Sequence, residues 1–281
     1  MDRCAYERSL TLARKQDTYL REFTKLMHRA AVMPLNSDGT VCYTKRYEQS
    51  ASGYRGRVYA KGVAQSKVPR RIRQIAYDGM DARGWGVEMA YFTFATQISD
   101  KLRIKIDIPY FNMETLRLYI RDKDAVWNSI EEYGNLSNGE CEKLRNAVFN
   151  GGTIDGIYMS SAYLRNISRE GRSTRWMASY PIPDVYGKLT AGEKKGWAEA
   201  SAQSYLLAGV AARVLEALAD HCMYLCRSGK GCALEHMGLQ FGGDDVIMKP
   251  FPANFKESAK EEIATRTGYK VNLVENISIF L

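Results

Sequence analysis

The chain has 281 residues, 45% of them apolar and 26% charged, a composition that excludes an intrinsically disordered chain and supplies a sizeable core. Lys and Arg outnumber Asp and Glu by 40 to 32, leaving a net charge of +8 and the expectation of a polyanionic partner. No apolar run reaches the roughly 20 residues that span a bilayer, MDRCAYERSLTLARKQ holds no apolar leader core, and six scattered cysteines fit a reducing compartment, so an intracellular protein without a membrane partner is expected.

In chain order, residues 1–50 read as a helical N-terminal segment and 51–281 as the main domain. Leu10, Leu12, Leu20, Phe23, Leu26 and Met27 recur with charges between them over 7–31, and MPLNSDGT (33–40) follows as a turn cluster. RGRVYAK alternates like a strand, and RQIAYDGMD reads as a strand ending in acids. WGVEMAYFTFATQI (85–98) is expected to be an apolar helix, DKLRIKIDIPYF (100–111) a strand, and 113–133 a helix. NLSNGECEKLRNAVFNGG (135–152) reads as a helix with an N-terminal turn and a glycine stop. The alanine- and leucine-rich stretch 193–226 is the strongest helix, ALEHMGLQFGGDDVIMK a strand, tight turn and strand, and SAKEEIATRTGYKVNLVEN a closing helix and strand. The expected class is α+β, not a regular series of β-α-β units.

Positive charge is concentrated in YRGRVYAKGVAQSKVPRRIRQ (54–74). It carries Arg55, Arg57, Lys61, Lys67, Arg70, Arg71 and Arg73 and no acid. Cations interleaved with Tyr54 and Tyr59 suit phosphate contacts combined with stacking on bases; the competing reading is a solvated basic face. Negative charge gathers at two places, Asp78 and Asp81 in AYDGMDARGWG, and Asp244 and Asp245 in QFGGDDVIMKP. Two unit charges about 4 Å apart at an effective dielectric near 20 repel by roughly 4 kcal/mol, which a hard divalent cation would relieve. Ordinary turn chemistry is the alternative for an acid pair after two glycines. HCMYLCRSGKGCALEH (221–236) holds two His and three Cys without the spacing of a zinc knuckle, so helix packing around Cys222 and Cys226 followed by a loop through Cys232 to His236 is the better account. Trp85 and Trp176 are read as core or edge aromatics.

Taken in this order, the segments over roughly 54–275 resemble the palm-and-fingers core of DNA polymerases of the bacterial polymerase I type, and are most similar to compact polymerase-like proteins of viruses and mobile elements. The resemblance implies a palm with a mainly antiparallel sheet, a helical fingers-like insertion and a helical N-terminal segment. It implies that Asp81, with Asp78 as its rival, is the strand-end aspartate of the first catalytic motif. Lys143, Arg145 and Phe149, ahead of Gly151 and Gly152, would hold the incoming nucleotide, and Asp244 and Asp245 would be the acids of the catalytic hairpin. On this reading Asp81, Asp244 and Asp245 bind Mg²⁺ or Mn²⁺, and Arg55, Arg57, Lys61, Arg70, Arg71 and Arg73 hold template or primer. The implied reaction is two-metal phosphoryl transfer from nucleoside triphosphates.

The chain departs from that pattern where Gly243 replaces a histidine, where Gly79 replaces a second aspartate of the viral relatives, and where Cys141 takes the outer basic position. Three other functions use the same residues. GGDD is similar to the catalytic hairpin of RNA-dependent RNA polymerases, a metal-dependent nuclease would need the acids without the Lys143–Arg145 helix, and a non-catalytic nucleic-acid-binding protein would keep a worn palm.

Overall fold

The structure, a computed structural model, describes residues 24, 25, 28, 32, 47–49, 58–60, 83–106, 112–123, 126, 137–152, 161–191, 195–227, 233–238, 245–249 and 252–275. The fold is α+β and mostly helical. It divides into two compact units, one made of Met1–Gly53, Val58–Glu88 and Ala212–Leu281, the other of Tyr54–Arg57 and Met89–Ala211. The expected helical segment 1–50 lies almost wholly outside the described residues. The helical insertion begins after Glu88, and the chain returns to the first unit at Ala212.

The first unit holds both sheets. Strands β1 (Tyr47–Gln49) and β2 (Val58–Ala60) form an antiparallel pair. The larger sheet contains β3 (Arg83–Val87), β4 (Ala233–Gly238), β5 (Asp245–Lys249) and β6 (Leu273–Glu275) in the order β4-β5-β3-β6, with every neighbouring pair antiparallel. With helix between β3 and β4 and again between β5 and β6, this is the β-α-β-β-α-β plan, in which the first strand lies between the third and the fourth. The register shifts between Leu234 and His236, a bulge in the edge strand β4.

WGVEMAYFTFATQI was expected to be helical from Trp85, but 83–87 is strand and helix α1 (Ala90–Ile106) starts afterwards. Gly84 and Gly86 flank Trp85, and two glycines in five residues weaken a helix while a central strand paired on both sides tolerates them. The expected strand at 100–111 is overturned up to residue 106, since 100–106 is the C-terminal part of α1. The helix is nucleated by buried Phe92, Phe94, Ala95 and Ile98, and Lys101, Arg103 and Ile104 then continue it on the exposed side.

The helical unit adds α2 (Glu114–Arg121), α3 (Asn138–Phe149), α4 (Ala162–Met177), α5 (Pro183–Thr190) and the first half of α6 (Lys195–Arg227). Ser137 and Glu140 form a reciprocal capping box at the start of α3, as the sequence NLSNGE suggests, and Gly151 ends the helix at φ 102. The helix α4 packs on α1, α2 and α3. Its Glu170 is 2% exposed, and its two carboxylate oxygens accept the backbone N–H groups of Thr115 and Leu116 at 2.9 Å each. A buried carboxylate thus caps α2, whose own N-cap, Met113, offers no side-chain acceptor. Arg175 caps the other partner, donating to the Phe149 carbonyl at 3.1 Å. That carbonyl also faces Gly171, where an added Cβ would lie only 2.2 Å from its oxygen.

In the first unit, α7 (Phe255–Thr267) buries Phe255, Ala259 and Ile263 at four-residue intervals and stops at Gly268, which takes the left-handed φ of 69°. Phe255 meets Trp85 edge-on at 5.4 Å between ring centroids and lies 6.1 Å from the His221 ring. His221 Nε2 is 3.0 Å from Ser258 Oγ. Burial holds the His221 pKa below its ordinary value, partly opposed by the charge of Glu262.

Two outcomes follow from this packing. Gly171→Ala is expected to cost about 2 kcal/mol through the clash with the Phe149 carbonyl, whereas Gly187→Ala on α5, with open space around it, adds a few tenths; urea titration separates the two. Because the folded protein disfavours protonated His221, this group's contribution is full above its unfolded value near 6.5 and is lost as the pH falls below it. The urea midpoint of wild type is therefore expected to drop more between pH 7 and pH 5 than that of His221→Gln.

Candidate active site

Asp245 is the first residue of β5. Its neighbour Val246 pairs with Trp85 of β3, so Asp245 lies at the end of the sheet toward which β3 runs, where Glu88 follows the last strand residue. By ordinary strand spacing the two backbones are about 5 Å apart across the ladder, and Glu88 is two residues, about 7 Å, further along. The start of β3 is at the other end of the pairing, since Arg83 lies opposite Met248. Among the described residues the acid that follows a strand and precedes a helix is Glu88, while the segment RQIAYDGMD, on which the sequence reading set Asp81, lies outside them. Asp78, Asp81 and Asp244 themselves lie outside the described residues.

Glu88 is half-buried and held from the edge strand side. Its N–H donates to the Asn272 carbonyl at 2.9 Å, and its Oε2 accepts from Asn272 Nδ2. The next residue, Met89, has φ 47, the single non-glycine with positive φ among the described residues. Its carbonyl accepts the first helical N–H of α1, from Thr93, at 3.0 Å. A methionine in the left-handed region stores backbone strain of order 1 kcal/mol, and such strain concentrates where a chain must present a particular group. Here it turns the chain sharply out of the sheet beside Glu88.

The nucleotide-holding residues expected on α3 part company. Lys143 is exposed and Arg145 is 3% exposed, because positions two apart on a helix face opposite ways. Arg145 shares its face with buried Cys141 and Val148, an i, i+4, i+7 stripe legible in ECEKLRNAVF. Its guanidinium stacks over Tyr119 at 4.0 Å and Phe92 at 4.9 Å from the ring centroids, 3.5 Å from Glu142 and 3.3 Å from Asn146 Oδ1. Desolvation lowers its pKa to about 10, against the opposing pull of Tyr163, whose own hydroxyl burial pushes upward. Phe149 is also buried, edge-on to Phe92 at 4.9 Å, as a core residue. In this arrangement Arg145 and Phe149 build the interior of the helical unit.

Trp85 is buried as a core aromatic, and Trp176, 43% exposed, is an edge aromatic. Cys222 is a buried thiol within α6 and His221 faces Ser258, which agrees with helix packing at that end of the tempting His and Cys cluster. Cys232 lies outside the described residues, as do Arg55, Arg57, Lys61, Arg70, Arg71 and Arg73. Among the described residues no three His, Cys, Asp or Glu side chains gather as a metal site, and none of the helices is long and apolar enough to cross a membrane. Sequence reasoning missed Glu88, Asn272 and Gln203; the last is 1% exposed in α6 with neither amide atom hydrogen-bonded to a described residue.

No protein-family model matches the chain, and no curated protein matches it either.

The two cations on α3 should separate by experiment. Arg145→Ala is expected to cost about 2–3 kcal/mol by removing a stacked core side chain, while Lys143→Ala leaves the melting temperature within a degree or so; calorimetry of both variants checks this.

Proposed function

We propose that the chain is a template-directed nucleotidyltransferase of polymerase type, working at the end of the larger sheet where Asp245 opens β5 and Glu88 follows β3. The observation that carries the reading is the antiparallel pairing of β3 with β5, which sets an acidic hairpin strand beside a strand that ends in an acid and continues into a helix. Carboxylates at that end, with Asp244 one residue before Asp245, are hard oxygen donors of the kind that Mg²⁺ or Mn²⁺ takes. A bound ion would polarise phosphoryl oxygens and lower the pKa of an attacking hydroxyl. The protein's own part is to fix the carboxylates: the sheet sets Asp245, and Asn272 orients Glu88.

The RNA-polymerase version of this reading gains from the interior position of Arg145 and Phe149. The polymerase I-type assignment gave the nucleotide to Lys143, Arg145 and Phe149, of which only Lys143 is exposed. With the other two in the core, GGDD at the β4–β5 hairpin is the more specific likeness, and RNA is the favoured template. The basic segment 54–74 would hold the nucleic-acid backbone, and the net charge of +8 suits a polyanion.

With Mn²⁺, nucleoside triphosphates and a labelled primer on an RNA or DNA template, the purified chain is expected to extend the primer. Asp244→Asn and Asp245→Asn each lower the rate at least about 100-fold, Glu88→Gln lowers it about tenfold or more, and all three retain primer–template binding. Degradation of the primer would instead establish a nuclease, and binding with neither extension nor cleavage a non-catalytic scaffold.

A further inference from the structure

The helix α4 carries a surface that the acidic sheet end does not use. Arg165, Arg169, Arg172 and Trp176 are all exposed, and at 3.6 residues per turn they fall within about 60° of arc, a single stripe roughly 16 Å long. The opposite side is the buried one, with Leu164, Ile167, Thr174 and Met177. The helix's sole acid, Glu170, is turned inward to cap α2, so no carboxylate of α4 neutralises the stripe. Neither Arg169 nor Arg172 forms an ion pair with a described residue. At the C-terminal end the stripe meets a second aromatic: Tyr180 is 37% exposed, and its ring stands edge-on to Trp176 at 5.1 Å.

From this we infer that α4 is a binding surface for single-stranded nucleic acid, with the three arginines on successive phosphates and the Trp176–Tyr180 pair as a stacking platform for an unpaired base. Arginine presents a planar fork that matches phosphate oxygens, and an exposed indole stacks on any base. A row of cations ending in exposed rings is complementary to a chain that alternates charge with flat aromatic groups. An acidic peptide would complement the charges and leave the rings unused. A membrane surface would need an apolar face to insert, and the apolar face of α4 is already committed to the core of the helical unit. A duplex offers phosphates but keeps its bases stacked within itself, so the platform selects single strands. The surface is independent of the proposed catalysis, because it rests on the charge and exposure of α4 alone.

The test is fluorescence anisotropy of the full chain with a labelled 12-nucleotide oligo(U), without triphosphates or divalent metal, so that failure of the polymerase reading leaves it intact. The triple variant Arg165→Gln, Arg169→Gln, Arg172→Gln is expected to bind at least about tenfold more weakly at 0.1 M salt. Its log–log salt slope should be shallower by about 2, near 0.7 for each single-strand phosphate that is no longer neutralised. Trp176→Ala is expected to weaken binding about tenfold with the slope unchanged, and to affect a duplex of equal length far less. All the substituted positions are exposed, and circular dichroism of the variants is expected to match wild type. Wild-type affinity and slope in the triple variant would overturn the inference, as would oligo(U) binding unaffected by Trp176→Ala. Binding to anionic phospholipid vesicles in the absence of any oligonucleotide binding would overturn it too.

Discussion

Strand β3 has two neighbours, and both come from the last 40 residues of the chain. Bringing Trp85 beside Val246 closes a loop of about 160 residues, which costs on the order of 4–5 kcal/mol in chain entropy. The sheet repays that through the apolar groups that the closure buries. Trp85 against Phe255, with Ile263 and Leu273 nearby in the same unit, are each fully or almost fully removed from water, and two or three side chains of that size match the loop term. Everything proposed for the acidic end depends on this pairing, since it alone joins Glu88 to Asp245. The contacts around this pairing are apolar and come from α7 and β6.

The helical unit solves a different problem. Among its described residues it buries the cation Arg145 and the anion Glu170, and each is held in a particular way. Glu170 accepts two helix N-terminal N–H groups, so its charge faces the positive end of α2. Arg145 is flanked by the faces of Tyr119 and Phe92, which hold a desolvated guanidinium through their ring quadrupoles. Charges placed this way order the packing of α2, α3 and α4. Among the described residues of this unit, buried charge is architectural.

Much of this order can be read from residue patterns. The alanine-rich helix, the strand pair flanking GGDD, and the closing helix and strand all have local signals, and each formed within a few residues of its expected place. The strand RGWGV did not, because an apolar run of that length fits a buried helix as well as a buried strand; only the flanking glycines argued otherwise. That displacement hid Glu88 as an acid at the end of a strand. The burial of Arg145 was legible in its phase on the helix, since Cys141 and Val148 share its face, and its basic chemistry pointed the other way. The stripe on α4 was equally visible in LRNISREGRSTRW, yet whether Glu170 cancelled the arginines depended on a tertiary hydrogen bond. No local pattern reports that.

The bulge between Leu234 and His236 affects the molecule's behaviour in company as well as its internal register. In the observed order β4 is an outer strand of the sheet, so one side of its backbone faces no other described strand. A regular pleat there would offer an evenly spaced row of amides and carbonyls onto which a strand from another molecule could zip. One extra residue breaks that spacing and adds local twist. The bulge thereby sets this margin of the sheet against edge-to-edge growth between molecules.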